Sequence, residues 1–348
     1  MTTAALTVSV LDLIPVRRGQ TTAQAIAAAR RLIRAAEEAG AHRFWVAEHH
    51  NAASVASTSP AVLIALLAAE TERIRVGSGG VMLPNHAPLA VAEQFAALEA
   101  AYPDRIDLGI GRAPGTDPVT SWTLRNGASD DEIVRRFPAY VEQVIAFMSP
   151  GGARLEIGGR PFDIVATPHA VAAPPVWLLG SSDYSARLAA QLGLPYVFAH
   201  HFSGQGTAAA LELYRQGWAG EGQPRTFLTV NVVTAETDEE AWALARPYQL
   251  QMAGLRTGQP LRELHTVESA REQNPPTDEG LALLSRSWLV GTPDRVAEQV
   301  RALAQQFEVD EVMLHPIAGS FADERLDRSV HREQAVVELT RRLTTAAG

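Results

Sequence analysis

The stretch from Ile74 to Pro118 constrains the fold of this chain most, because it places a helical run between two β-prone runs. Residues 74–82 and 105–110 are rich in β-branched and other apolar side chains, and residues 89–101 carry apolar side chains at helical spacing. Strands joined through a helix pair in parallel, whereas an antiparallel pair can close through a tight turn. The stretch therefore predicts a βαβ unit within a parallel sheet.

The rest of the chain repeats this alternation. Strands are predicted at residues 6–13, 43–47, 74–82, 105–110, 175–179, 195–199, 227–234 and 311–314. Helices are predicted at residues 21–39, 59–70, 89–101, 130–148, 184–192, 207–219, 239–253, 293–307 and 331–343. Eight strands alternating with helices predict an α/β protein, a (β/α)8 TIM barrel with insertions. Because alternation alone does not decide closure, a doubly wound open sheet is the alternative.

The length of the chain favours one domain. A TIM barrel requires about 250 residues and tolerates insertions, so a single domain over residues 1–348 is predicted. Insertions are expected near residues 115–130 and 150–173. Residues 254–284 are too long and too polar for an ordinary connection, so we expect either a lid or a disordered segment there.

Composition excludes several classes of function. The net charge is −9 with acidic and basic residues interspersed, which argues against a nucleic-acid partner or binding to an anionic membrane. The absence of cysteine excludes disulfides, thiolate catalysis and cysteine-ligated metals. The start of the chain lacks the pattern of a signal peptide, and the longest apolar run, residues 61–69, is too short to span a bilayer. These features predict a soluble, cytoplasmic protein.

Histidines follow three of the predicted strands, at the ends where barrel enzymes place their chemistry. The residues at these ends are Glu48, His49 and His50, then His200 and His201, then His315. A metal site is not predicted, because adjacent side chains on an extended chain diverge and no HExxH motif is present. We interpret at least one histidine as a proton-transfer group beside a substrate. A structural histidine bonded to a neighbour is the alternative.

An arginine and a turn of small residues predict an anion site at the same strand ends. Arg112 leaves the fourth strand, and its guanidinium suits phosphate oxygens. Gly180, Ser181 and Ser182 precede a helix. The free backbone N–H groups at such a helix start can bind phosphate. Simple N-capping by Ser181 or Ser182 is the alternative. The neighbouring Arg112 favours the phosphate interpretation. Residues 109–114 miss the dinucleotide fingerprint by one glycine, so a Rossmann site is not predicted.

Glycines interrupt the first strand of the βαβ unit. Gly77, Gly79 and Gly80 remove side chains from a run that is otherwise suited to a strand. Because such glycines permit close approach to the backbone, we expect room here for a flat ligand.

Three segments resemble the bacterial-luciferase-like, flavin-dependent monooxygenases: WVAEHHN at 45–51, the glycine-rich stretch at 76–117, and the strand–turn–helix stretch at 175–202. The resemblance covers nearly the whole chain and implies a luciferase-like (β/α)8 barrel that holds reduced FMN at the strand ends. It implies a non-proline cis peptide at the glycine pair of the second segment. The catalytic candidates that it implies are His49, which resembles the family's acid or base beside the flavin, and then His50 and His200. The cofactor-binding residues that it implies are Gly79, Gly80, Val81, Met82, Arg112, Gly180, Ser181, Ser182 and Tyr184.

The activity implied by this resemblance is that of a two-component monooxygenase acting on a small organic substrate. A separate NAD(P)H:flavin reductase is expected to supply FMNH2, which reacts with O2 to a flavin C4a-(hydro)peroxide. A homodimer is expected on the same basis. Gly111 and His200 depart from the cysteine and tryptophan of the luciferase catalytic subunit, so light emission from an aldehyde is not expected. An F420-dependent hydride-transfer oxidoreductase and a non-catalytic flavin-binding subunit are the alternatives.

Overall fold

The computed structural model describes residues 5–273 and 278–345, in which strands and helices alternate as the sequence predicts. The strands are β1 (Thr7–Asp12), β2 (Arg43–Val46), β3 (Arg75–Ser78), β4 (Val81–Met82), β5 (Ile106–Gly111), β6 (Ala153–Ile157), β7 (Arg160–Ile164), β8 (Val176–Gly180), β9 (Tyr196–Phe198), β10 (Thr226–Thr234), β11 (Leu289–Gly291) and β12 (Glu311–Pro316). The helices are α1 (Thr22–Ala39), α2 (Pro60–Ala68), α3 (Pro88–Ala101), α4 (Pro118–Leu124), α5 (Asp130–Met148), α6 (Asp183–Gln191), α7 (His200–Ser203), α8 (Thr207–Gln216), α9 (Asp238–Arg256), α10 (Val267–Arg271), α11 (Asp278–Leu284), α12 (Pro293–Phe307) and α13 (Val330–Leu343).

The parallel strands close into a barrel. They lie in the order β1, β2, β3, β5, β8, β9, β10 and β12, and β12 pairs in turn with β1. β4 continues β3 alongside β5, and β11 lies beside the end of β10. Because each barrel strand has a parallel neighbour on both sides, the (β/α)8 TIM barrel is confirmed and the open-sheet alternative is wrong.

Large side chains fill the interior of the barrel. The rings of Trp45, Trp177 and Phe227 contact one another, with centroids 5.1 to 5.8 Å apart. Leu11 and Met313 pack against them within the same buried cluster. Since no open channel runs through a barrel packed in this way, a ligand finds room only at the strand ends.

Four charged side chains at the amino ends of the strands form a closed network, here called the floor cluster. Its members are Arg43, Arg75, Asp107 and Glu311. Asp107 accepts from Arg43 at 2.8 Å and from Arg75 at 2.7 Å, and Arg43 also donates to Glu311 at 2.7 Å. The indole of Trp45 donates at 3.0 Å to Oδ2 of Asp107, the oxygen that also accepts from Arg43. Each buried charge here therefore has both an opposite charge and hydrogen bonds, which offset its desolvation.

Cap residues set the ends of the helices. The side chain of Thr21 accepts from the backbone of Gln24, whose side chain accepts in return from the backbone of Thr21, which forms a capping box at the start of α1. Gly40 ends α1 in the left-handed region at φ 92°, where a residue with a Cβ would be strained. These local signals explain why the predicted boundaries of this helix agree with the structure.

Three regions contain more structure than their sequence patterns indicate. Residues 115–130 include α4, residues 150–173 include the antiparallel hairpin of β6 and β7, and residues 254–284 include α10 and α11. These helices span seven residues or fewer, too few to show a helical period. Residues 274–277 of the predicted lid lie outside the described residues. None of the helices in the described ranges combines the length and apolar character needed to cross a bilayer.

Candidate active site

A cavity of about 860 Å³ opens at the carboxyl ends of the barrel strands. Residues that end or follow strands form one part of its wall, and aromatic residues above the barrel form another: Leu13, His49, His201, His315, Tyr248 and Trp288. Its size is that of a site for a cofactor or a drug-sized molecule. Because barrel enzymes bind substrates at this end, the cavity is the candidate active site.

Glu48 organises the edge of the cavity that follows β2. It is fully buried, and its Oε1 accepts from Nε2 of His50 and from Nε2 of His86, each at 2.8 Å. Its Oε2 accepts from the backbone N–H of Met82 at 3.0 Å. Burial alone would raise the pKa of Glu48, but these hydrogen bonds outweigh it and lower the pKa to about 2. Glu48 is therefore a carboxylate that fixes His50 and β4 relative to β2.

His49 lies in the wall of the cavity, and its imidazole forms no salt bridge with another described residue. Its backbone N–H donates to the carbonyl of Ser57 at 2.9 Å, which fixes the chain after β2. Its Nδ1 is buried without a hydrogen bond among the described residues. Burial lowers the pKa of His49, Glu48 opposes this and His50 adds to it. The imidazole is therefore neutral near pH 7 and can accept a proton.

Two further histidines lie in the same wall, and we call His49, His201 and His315 the rim histidines. The rings of His201 and His315 meet edge to face with centroids 5.7 Å apart. Burial lowers the pKa of His201 to about 3, and burial with the nearby His201 lowers that of His315 well below its ordinary value. Within residues 5–273 and 278–345, no three His, Cys, Asp or Glu side chains are arranged to hold a metal ion. The cluster is thus a set of neutral hydrogen-bonding groups.

His200 lies apart from these residues. It begins α7, where its Nδ1 pairs with Oγ1 of Thr207 at 2.8 Å and its ring packs 5.6 Å from that of Phe307. It is buried and does not form part of the cavity wall, unlike its neighbour His201. The catalytic role predicted for His200 stays a prediction, and His201 is the member of the pair that the fold brings to the cavity.

The glycine pair after β3 has the geometry that the resemblance implies. The peptide bond between Gly79 and Gly80 is cis. A Cβ at Gly79 would lie 2.8 Å from Leu11, and a Cβ at Gly80 would lie 2.9 Å from the carbonyl oxygen of Gly109. The absence of these side chains therefore allows close packing within the protein itself, and a flat ligand against this backbone stays a prediction. The cofactor contacts predicted for these glycines stay predictions.

The residues after the glycine pair face the next strand. Val81 and Met82 form β4, and Met82 lies opposite Gly111 of β5. A Cβ on Gly111 would come 3.1 Å from the sulfur of Met82, so glycine allows the two strands to approach closely. The backbone of Met82 is held by Glu48, and its sulfur lies against Gly111 at the end of β5.

Arg112 and the turn after β8 meet as predicted, because β5 and β8 are neighbouring strands. The guanidinium of Arg112 lies 4.2 Å from the ring centroid of Tyr184, in the first turn of α6. Within the described ranges, no carboxylate pairs with Arg112. Ser182 occupies the N-cap of α6 without a side-chain cap bond, and Ser181 beside it is exposed. An unpaired guanidinium beside uncapped helix amides fits a phosphate group.

The turn from β8 into α6 requires glycine at position 180. A Cβ there would lie 2.1 Å from Oγ of Ser185, which is too close for any other residue. The hydroxyl of Tyr196 donates to the carbonyl oxygen of Gly180 at 3.2 Å. Gly180 therefore shapes the turn that presents Ser181 and Ser182, whereas direct contact between Gly180 and a cofactor stays a prediction.

Sequence reasoning missed three residues of the cavity wall. Asn231 is a polar residue within the apolar run of β10, and that break in the pattern was the available signal. Tyr248 on α9 and Trp288 just before β11 belong to the layer above the barrel, and periodicity does not reveal which parts of that layer cover a site.

Comparisons with known proteins agree with this fold. A family model described as luciferase-like monooxygenase matches residues 6–311. The chain is 37% identical over 324 residues to a protein of Escherichia coli (strain K12) named luciferase-like monooxygenase, a match that covers 90% of this chain and 92% of that protein. It is similar to the solved structure of apo-MsnO8, with 36% identity, a TM-score of 0.81 and coverage of 95% and 98% of the two chains. It shares its fold with the oxygenating constituent of 3,6-diketocamphane monooxygenase from Pseudomonas putida, solved with FMN, at 19% identity, a TM-score of 0.73 and 98% coverage of both chains.

Proposed function

Since this chain belongs to the luciferase-like monooxygenase family, we propose that it is a two-component, FMN-dependent enzyme that oxygenates a small organic substrate with O2. One observation carries the proposal: an unpaired arginine beside free helix amides and a neutral cavity histidine lie at the same end of the barrel. The FMN in the 3,6-diketocamphane monooxygenase structure supports this choice of cofactor.

Arg112 and the N-terminus of α6 are assigned to the phosphate of FMN. Among the described residues, the guanidinium contacts the ring of Tyr184 and no carboxylate, which leaves its N–H groups for phosphate oxygens. Ser181 and Ser182 add hydroxyl groups and free backbone amides beside it. Reduced FMN, when bound, would supply the electrons that activate O2 for transfer of one oxygen atom to the substrate.

His49 is assigned to proton transfer in the cavity. Its pKa is lowered by burial, so the ring is neutral near pH 7 and can take a proton from a reacting group. Its orientation is set by the backbone bond to Ser57 and by the preceding Glu48, which is anchored on three sides. His50 lies in the cavity wall beside it and is held by Glu48, which makes it the second candidate.

A separate NAD(P)H:flavin reductase is proposed as the source of reduced FMN, because the chain has no dinucleotide fingerprint of its own. We also propose a homodimer. Val62 and Leu66 of α2 are 61% and 46% exposed, an apolar pair that a second copy of the chain would cover.

The proposal is tested by anaerobic titration with reduced FMN and with reduced riboflavin, which lacks the phosphate. The wild-type protein should bind FMN about 10- to 100-fold more tightly than riboflavin, because charge-assisted hydrogen bonds to the phosphate are lost with the smaller ligand. Arg112→Met should abolish this preference. Arg73→Met, which removes an exposed arginine near the opposite end of the barrel, is the matched control and should keep it.

Oxygen uptake with an added flavin reductase then tests the chemistry. A substrate-dependent uptake that His49→Gln reduces while FMN affinity is unchanged supports the assignment. Absence of saturable binding of reduced FMN overturns the proposal, and binding of F420 in its place would indicate the hydride-transfer alternative.

A further inference from the structure

The inner wall of the cavity contains a hydrogen-bond acceptor whose tautomer is fixed by its neighbours. His315 on β12 lies opposite Asn231 on β10, and both side chains are almost fully buried. Nδ2 of Asn231 donates to the carbonyl of His201 at 2.9 Å, so its Oδ1 is the atom that meets Nδ1 of His315 at 2.8 Å. Nδ1 of His315 must then carry the proton, which leaves a lone pair on Nε2.

This Nε2 is available to a ligand. It makes no hydrogen bond within the described residues and remains accessible from the cavity, whose wall His315 helps to form. The rings of Tyr248 and His201 flank His315 edge to face, with centroids 5.9 and 5.7 Å away. The ring of Trp288 packs 5.3 Å from Tyr248 and continues the aromatic wall. A flat, apolar molecule with one polar group directed at Nε2 matches these surroundings.

The charges around this end of the cavity disfavour an anion. Burial and the nearby His201, Arg332 and His49 lower the pKa of His315, so its ring stays neutral. Arg332 also lines the cavity, but it is committed to Asp12 at 2.5 Å and to the carbonyl of Pro316 at 2.8 Å. A carboxylate placed against Nε2 would therefore meet a lone pair rather than a hydrogen-bond donor.

We propose that the Asn231–His315 pair accepts a hydrogen bond from the organic substrate, and that the enzyme takes neutral, largely apolar molecules carrying a hydroxyl or N–H donor. The proposal rests on the proposed function in one respect, that the molecule bound here is the one that is oxygenated. His315 is then a substrate-contacting residue, and Asn231 is the positioning residue that keeps Nε2 an acceptor.

The test uses three probes of nearly equal shape: 4-ethylphenol, 4-ethylanisole and 4-ethylbenzoate. Binding to the flavin-free protein is measured by isothermal titration calorimetry near pH 7.5, so the result does not depend on whether FMN is the cofactor. The phenol should bind about 10-fold more tightly than the anisole, because only the phenol donates a hydrogen bond. The benzoate should bind more weakly than either.

Two variants identify the group responsible. His315→Phe should reduce the phenol-to-anisole ratio to about 1 by removing the acceptor while keeping an aromatic ring. Asn231→Asp should favour the protonated imidazole, turn Nε2 into a donor and make benzoate the preferred probe. His42→Gln, at the amino end of the barrel, is the control and should leave all three affinities unchanged.

The outcomes separate this inference from the proposed function. An equal affinity of wild-type protein for phenol and anisole overturns the inference, as does a ratio that His315→Phe leaves intact. A loss of FMN affinity in His315→Phe with no change in probe affinity would assign Nε2 to the flavin and also overturn it. A protein that distinguishes the probes but binds no FMN supports the inference and contradicts the cofactor assignment instead.

Discussion

The two ends of the barrel treat buried polar groups in opposite ways. In the floor cluster, Asp107 accepts from Arg43, Arg75 and Trp45, and Arg43 also binds Glu311. At the other end, two Nδ1 atoms of the rim histidines, those of His49 and His201, are buried without a hydrogen-bond partner in the part of the chain that the structure describes. The floor cluster contributes to holding the strands in place, while the rim keeps groups unpaired that a ligand can use.

This difference shows how a candidate active site can be recognised in a barrel whose two ends contain similar types of residue. Both ends of the barrel are rich in charged and polar residues, so residue type alone does not separate them. The hydrogen bonds of the titratable groups do separate them: each member of the floor cluster is paired, whereas Nδ1 of His49 and Nδ1 of His201 have no partner among the described residues. A buried polar atom without a partner costs free energy. Substitutions at the two ends should therefore have effects of different size and kind.

The largest effect on stability is expected at the floor. Asp107→Asn removes the negative charge between Arg43 and Arg75, and breaking a buried ion pair in this way costs about 3–5 kcal/mol. Urea unfolding measures the loss. Glu132→Gln, which breaks an exposed pair with Arg136, is the control and should cost less than about 1 kcal/mol. Equal costs at the two positions would contradict the role of the floor cluster.

Substitution of Glu48 should destabilise the protein as substitutions in the floor cluster do, because both oxygens of its carboxylate accept hydrogen bonds. Glu48→Gln should cost about 2–3 kcal/mol, since charge-assisted hydrogen bonds from His50 and His86 are lost. The lowered pKa of the wild-type carboxylate, about 2, means that this contribution is present above pH 4.3 and is lost as pH falls toward 2. Urea unfolding at pH 7 and pH 3 checks both statements, and Glu72→Gln at an exposed site is the control.

The buried rim histidines should make the protein sensitive to mild acid. Because the pKa of His201 is about 3 in the folded state, the unfolded chain binds a proton below pH 6.5 that the folded chain refuses. Stability should fall as pH decreases from 6.5, by up to about 1.4 kcal/mol per pH unit for this imidazole. His201→Phe should reduce the slope of unfolding free energy against pH. An unchanged slope would show that His201 is already protonated in the folded protein.

The smallest effect on stability is expected from substitution of Arg112. Arg112→Met removes only the contact with the ring of Tyr184, worth about 0.5–1 kcal/mol at a partly exposed site. The same substitution should abolish the preference for FMN over riboflavin, so stability and binding are affected separately. A loss of stability as large as that of Asp107→Asn would remove the distinction between the two ends.

Local periodicity was enough to predict most of the barrel. The helix predicted at residues 293–307 is α12, and the strand predicted at residues 227–234 is β10 with one residue added. Local periodicity could not predict contacts between residues that are distant in the sequence and meet across the barrel. His315 and Asn231 are 84 residues apart, and their hydrogen bond depends on the closure of β10 against β12.

The site shows the same limit. His49 and Arg112 were predicted from their positions after strands and from family resemblance, and both lie at the predicted end of the barrel. The pairing of Glu48 with His86 depends on how the chain returns after β4, which no local pattern encodes. The same holds for His201, whose difference from His200 comes from the direction in which α7 begins.

The length of β10 has a practical consequence for access to the cavity. Its nine residues pair with β9 at the start, with β12 in the middle and with β11 at the end, so the layer carrying Trp288 is anchored to the barrel itself. The mostly exposed loop at residues 257–263 bonds to the end of α9, and the amide of Ala53 donates to the carbonyl of Leu261 across the cavity mouth at 3.0 Å. We therefore expect small molecules to enter and leave the cavity beneath this loop. Replacing the loop with that of a relative should change the size of the molecules that the cavity admits and leave the barrel unaltered.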